Sequence, residues 1–136
     1  TVYLKYTVGS ATMSAQITQI DKAAADSDTV YVTYTAGSVT MGGQLTKIDK
    51  SAANSDQDRQ HLAVSVAVNE NLSVSLGRSN VEFEASTKDD QESVGLSFSY
   101  TMGSMTIVGN QQSEDNTGGS QGTDDSVTEL SVAFAF

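Results

Sequence analysis

Apolar and polar residues alternate one for one along almost every segment of this chain, and that regularity constrains its fold more than any other feature. Val2, Leu4, Tyr6 and Val8 alternate with Thr1, Tyr3, Lys5 and Thr7. Val30, Val32, Tyr34 and Ala36 alternate in the same way with Tyr31, Thr33 and Thr35. The pattern returns in Leu62–Val68, Leu72–Leu76, Val94–Met102 and Leu130–Phe136. A period of two puts successive side chains on opposite faces of a β-strand. No stretch repeats with the period of a helix, so the chain reads as all-β.

An internal repeat sets the unit. Residues 1–28 align without gaps to 29–56, and eighteen of the twenty-eight positions are identical. Part of the pattern returns at 98–106, which echoes 31–40 around its turn. The unit is too short for a domain and reads as one hairpin plus one loop. Tight connections are expected at Gly9-Ser10, Gly37-Ser38, Asn69-Glu70-Asn71 and Gly103-Ser104, residue types that short hairpin turns require. Long ones are expected at Asp21–Asp28, Asp49–Gln60, about 86–92 and about 111–125. This rhythm predicts nine strands in an up-and-down meander, over about 1–8, 11–20, 29–36, 39–48, 61–68, 72–85, 93–102, 105–111 and 127–136.

The face opposite the apolar one carries Ser, Thr, Gly, Gln and Ala, with almost no charge beyond Lys5 and Glu129. In a water-soluble sandwich the apolar faces of two sheets bury each other, and Lys and Glu are common outside. A polar, uncharged face instead fits a water-filled lumen, with the apolar face against lipid. Tyr6, Tyr34 and Tyr100 stand on the apolar face beside the short turns, and Phe134 and Phe136 end the chain on that face. Together they form the aromatic girdle expected at one membrane boundary. No apolar run reaches the roughly 18–20 residues of a membrane-spanning helix. Spanning strands need only about 9–11 residues, and these segments approach that length.

These residues resemble the C-terminal portion of Gram-negative bacterial outer-membrane porins, in particular general diffusion porins of the alphaproteobacterial type. The final strand, Val127–Phe136, carries the sharpest likeness, with its alternation and terminal phenylalanine, together with the short-turn, long-loop rhythm. The resemblance implies an antiparallel transmembrane β-barrel of about sixteen strands when complete, of which about nine lie here in one domain. It implies tight turns in the periplasm, acidic loops outside, a homotrimer, contacts with outer-membrane lipid and lipopolysaccharide, and recognition of the last strand by the outer-membrane assembly machinery. The odd strand count predicts that 1–136 is part of a larger barrel, whose constriction residues would lie elsewhere.

Alternation places Tyr3, Lys5, Thr7, Thr12, Gln16 and Thr18 on the expected pore wall. One repeat later it adds Tyr31, Thr33, Thr40, Gln44 and Thr46, and the last strand adds Glu129. No cofactor is implied. The acidic loop from Glu114, Asp115 and Asn116 through Asp124 and Asp125 offers clustered oxygen ligands that could bind calcium, although it lacks the twelve-residue calcium-loop pattern. His61, beside Asp58 and Arg59, has no nucleophile motif to serve and reads as a rim residue. Arg78 falls on the apolar face, which points to snorkelling or to a bulge at the parity switch of Val81 and Phe83. Seven Lys+Arg against seventeen Asp+Glu give a net charge of −10, which argues against nucleic acid as a partner and suggests some cation preference. There is no Cys, hence no disulfide or thiolate site.

The function expected is passive diffusion of small hydrophilic solutes. A non-conducting structural or adhesive barrel, and a soluble secreted β-repeat surface protein, are the alternatives. Catalysis is not expected.

Overall fold

The computed structural model describes residues 1–22 and 25–135. Nine strands follow one another as β1 (Val2–Val8), β2 (Ala11–Ile20), β3 (Ala25–Ala36), β4 (Val39–Lys50), β5 (Gln57–Ala67), β6 (Leu72–Phe83), β7 (Gln91–Met102), β8 (Met105–Asp115) and β9 (Asp125–Phe134). They form a single antiparallel sheet in sequence order, with β1 and β9 as its edges. All nine expected strands are present. Several run further into the loops than alternation shows: β3 starts at Ala25, β4 ends at Lys50, β5 starts at Gln57 and β8 ends at Asp115. Near the long-loop end the apolar pattern fades, but backbone pairing continues because each neighbour still offers a partner.

Three of the turns share one local solution. Tyr6-Thr7-Val8-Gly9-Ser10-Ala11-Thr12 recurs as 34–40 and 100–106. Gly9, Gly37 and Gly103 hold φ of 58, 58 and 59°, a conformation that a side chain disfavours and that two-residue hairpins require. The flanking threonines meet across the turn, with hydroxyl separations of 3.2 Å for Thr7–Thr12, 3.0 Å for Thr35–Thr40 and 3.2 Å for Thr101–Thr106. In the fourth turn, the Asn69 carboxamide oxygen accepts from the backbone N–H groups of Asn71 and Leu72, both at 2.9 Å.

No conventional core exists among the described residues. Val81 is the buried hydrophobic one, at 8% exposure, whereas Leu4, Leu62 and Leu130 are 62, 66 and 70% exposed. Burying one such side chain is worth about 1.5–3 kcal/mol, so a sheet that leaves nearly all of them uncovered does not hold together in water. Its apolar face is built to meet lipid.

The ladders β5–β6 and β6–β7 run without interruption from Ala67↔Ser73 to Gln57↔Phe83 and from Leu72↔Tyr100 to Val81↔Gln91. The bulge considered for this region is therefore absent. Arg78 does stand on the apolar face, between Leu62 and Val94, and its guanidinium pairs with the Glu92 carboxylate at 2.8 Å. Val81 and Phe83 keep strict alternation and so project on the polar face, where loops cover them.

On the apolar face, the Phe98 ring lies over its cross-strand partner Gly109, where a Cβ would come within 2.3 Å of the ring. Gly109→Val should therefore expel the ring and weaken β7–β8 pairing by about 1–3 kcal/mol, as overpacking generally does. Gly95→Ala, where a Cβ meets nothing closer than 3.9 Å, should be close to neutral. Midpoints of heat-induced mobility change on gels, measured for both variants, check this.

Candidate functional site

Register converts the alternation into a surface. Residues directly opposite in adjacent strands share a face, so the pairings trace continuous rows across the polar side. One row runs Thr7, Thr12, Thr35, Thr40, Ser65, Ser75, Ser97, Asn110 and Glu129, crossing all nine strands with a hydroxyl, amide or carboxylate at every step. Several members bond to each other: Ser75 to Ser97 at 2.7 Å, and the Asn110 amide donates to Glu129 at 3.1 Å. The row starts beside the Gly9 turn and reaches mid-strand at β9. It therefore climbs the wall obliquely, as the stagger of barrel strands demands.

A second row joins Tyr3, Gln16, Tyr31, Gln44, His61, Ser79, Ser93, Glu114 and Asp125. Between the two lies a third, Lys5, Ser14, Thr33, Gly42, Ala63, Gly77, Gly95, Gln112 and Val127, in which four consecutive members are Gly or Ala. The structure thus places Tyr3, Lys5, Thr7, Thr12, Gln16, Tyr31, Thr33, Gln44 and Glu129 on one continuous face, with Thr18, Thr40 and Thr46. Ser14, Ser65, Ser75, Ser97 and Asn110 complete it. Their strands alternate clearly, but only pairing shows that they continue the same rows.

The opposite face carries the aromatics. Tyr6, Tyr34 and Tyr100 each stand three residues before a turn glycine, at one height above the short-turn end, and Phe134 pairs with Met105 next to the Gly103 turn. Tyr6, Tyr34 and Phe134 are 62, 43 and 58% exposed. Phe136 lies outside the described residues. Met13 and Met41 flank Tyr34 in the same row.

Charge divides by face in a way that net charge conceals. On the polar face the strand residues Lys5, Lys50 and Arg59 balance Glu114, Asp125 and Glu129. On the other face Asp26, Asp28, Asp49, Asp58, Glu82, Glu92 and Asp115 stand with Lys47 and Arg78. The surplus of carboxylates thus sits outside and at the long-loop rim. Three acid pairs face each other directly there, Asp26–Asp49, Asp58–Glu82 and Glu92–Asp115.

At the long-loop end, two connections fold onto the polar face and lock together. A 3-10 turn, Thr117–Gly119, follows Asn116 in the left-handed conformation. Gly119 packs on the Phe83 ring, and its φ of +76° is one that side chains rarely adopt. Lys88 Nζ donates to the Gly118 carbonyl at 2.7 Å and lies 4.5 Å from the Phe83 ring centroid. Gly118 N–H donates to the Gln91 side chain at 2.9 Å, Asp89 N–H to the Gly119 carbonyl at 3.1 Å, and the Asn116 amide to the Asp90 carbonyl at 3.1 Å. The result is a ledge fixed over Val81 and Phe83. Asp124 accepts from Asn116 N–H and Asp125 from Ser126 N–H, so each serves its own backbone. No group of three or more His, Asp or Glu suited to a metal occurs among the described residues.

A Cβ on Gly119 would sit 2.9 Å from Phe83 and 3.0 Å from the Lys88 side chain. Gly119→Ala should therefore free the ledge at a cost of about 1–3 kcal/mol, seen as faster hydrogen exchange at the Asp89 and Gly118 amides with strand amides unchanged.

Comparison with known proteins matches this geometry. The sheet superposes on an anion-selective porin from Comamonas acidovorans with a TM-score of 0.67 and 15% identity, over 98% of this chain and 48% of that one. It superposes on the outer-membrane expressed OmpT of Vibrio cholerae with a TM-score of 0.64 and 18% identity, over 97% and 54% respectively. The chain thus spans about half the length of each. No curated protein shows significant sequence similarity to it. The family model of the Gram-negative porins matches residues 1–120. With an aromatic-bearing apolar face, a polar opposite face and nine meandering strands, the chain belongs to the Gram-negative porins and resides in the bacterial outer membrane, which it crosses strand by strand.

Proposed function

We propose that this chain forms part of the wall of a water-filled channel for passive diffusion of small hydrophilic solutes. The observation that carries the reading is the unbroken row from Thr7 to Glu129. Its hydroxyls and amides can exchange hydrogen bonds with a solute and with water at little net cost, so passage needs neither chemistry nor energy input. Tyr3, Lys5, Gln16, Tyr31, Thr33 and Gln44 would line the same lumen. The aromatic end would lie at the periplasmic boundary and the long loops outside.

β1 and β9 run in the same direction, because nine antiparallel strands separate them inclusively. An antiparallel barrel closed across them needs an odd number of further strands, about seven for the sixteen-stranded form. A homotrimer, lipid and lipopolysaccharide around the apolar belt, and capture of the last strand by the assembly machinery all follow from this reading. The polar face is nearly neutral, so it supports no cation preference of the kind net charge suggested. The ledge favours one alternative, a barrel whose mouth is too obstructed to conduct.

Conductance of the intact, detergent-purified protein in planar bilayers tests this. Long-lived ohmic steps are expected, and steps in groups of three would mark the trimer. Stable insertion without steps would leave the obstructed barrel, and failure to insert would overturn the membrane assignment of the faces. Thr12→Val alone should alter conductance by less than about twofold, because a wide polar wall acts collectively.

A further inference from the structure

The ledge creates a recess that diffusion alone does not require. Beneath it, between β5 and β8 on the polar face, lies a hollow of about 790 Å³ lined by Arg59 and His61 from β5, Lys88 from the ledge and Glu114 from β8. That volume suits a small ligand. His61, Ser79, Ser93 and Glu114 occupy one row, so His61 and Glu114 stand three strand spacings apart, about 14 Å. The absence of side chains at Gly77 and Gly95 deepens the floor.

Two features turn this hollow into a site for negative charge. First, the cations are held in place. Arg59 donates to the Gln57 carboxamide at 2.8 Å, which uses one of the five N–H groups of a guanidinium. Lys88 is anchored by the Gly118 carbonyl and the Phe83 ring. Second, neither has a counter-ion. The ion pairs among the described residues are Lys47–Asp49 and Arg78–Glu92, both on the lipid-facing side. Of the five basic residues outside these ion pairs, Arg59 and Lys88 are the two that line this hollow. The one carboxylate in the hollow, Glu114, accepts from the Ser93 hydroxyl at 3.1 Å and stands three strands away from Arg59 and His61.

We propose that this recess is a binding subsite for small oxyanions, carboxylate or phosphate, held by Arg59 and Lys88 with His61 and the hydroxyl of Ser79 completing the contacts. It concentrates such solutes at the long-loop mouth before they descend the polar wall. Charge-assisted hydrogen bonds from a fixed guanidinium are the strong ones, and a focused positive potential raises the local concentration of anions.

The inference rests on the channel reading, and the experiment separates the two. The intact protein is reconstituted in planar bilayers in KCl, and sodium citrate or inorganic phosphate is added in separate runs. Either anion is expected to interrupt the open-channel current, and the one that does so more strongly identifies the source. Arg59→Gln combined with Lys88→Gln should raise the half-blocking concentration by about tenfold or more, the effect of losing charged hydrogen bonds. Arg59→Lys should keep most of the block. Lys47→Gln, on the lipid-facing side, should leave it unchanged.

Normal KCl steps without block by either anion would overturn the subsite and leave the channel standing. So would block that is equal in the wild type and the double variant, or weakened as much by Lys47→Gln. Absence of any KCl step would overturn both readings. Should the double variant fail to show wild-type steps, Lys88→Gln alone decides, since its loop position lies outside the strand ladder.

Discussion

Everything in this structure depends on how backbone N–H and C=O groups are satisfied where no water is present to receive them. In hydrocarbon an unpaired group costs several kcal/mol, and the solution is a ladder in which each strand serves both neighbours. Uninterrupted pairing from β1 to β9 is what permits an apolar face to stand uncovered. It also explains why strands extend past the end of the hydrophobic pattern. Pairing is a property of the backbone and outlasts the side-chain signal by several residues at β3, β4, β5 and β8.

Given that ladder, the side chains are free to do separate work on the two sides. The lipid-facing side is apolar above the tyrosines and turns acidic toward the loops. The inner side holds hydroxyls and amides at low charge. The same Tyr-Thr-x-Gly-Ser-x-Thr segment builds three turns and serves both faces at once. Its tyrosine stands on the apolar face, its threonines bond to each other on the polar face, and its glycine supplies the left-handed backbone between them. A short repeat is therefore sufficient to generate most of the first half of the sheet.

The ledge is the exception that a sheet of this kind tolerates. Val81 and Phe83 are apolar residues on a polar face, and they are stable there because two loops fold over them. That small cluster is the nearest approach to a hydrophobic core. It also gives the wall beside Arg59 and Lys88 its hollow. The order of the two loops comes from a few hydrogen bonds and from one position, Gly119, where only the smallest residue fits between an aromatic ring and a lysine stem.

The amino-acid sequence by itself determined the strands, the turns and the division into an apolar and a polar face, because period-two alternation and glycine placement are local and need no partner to be read. It misplaced the reach of several strands, since pairing outlives hydrophobicity. It also suggested a bulge where Val81 and Phe83 merely found cover. Only the tertiary structure decided which residues stand side by side across the strands. Register is a relation between distant segments, so the row from Thr7 to Glu129, the sorting of carboxylates to the outer face and the meeting of Lys88 with Gly118 are absent from any single stretch of chain. The net charge of −10 could be counted from residues, but the face on which that charge resides is fixed by strand pairing alone.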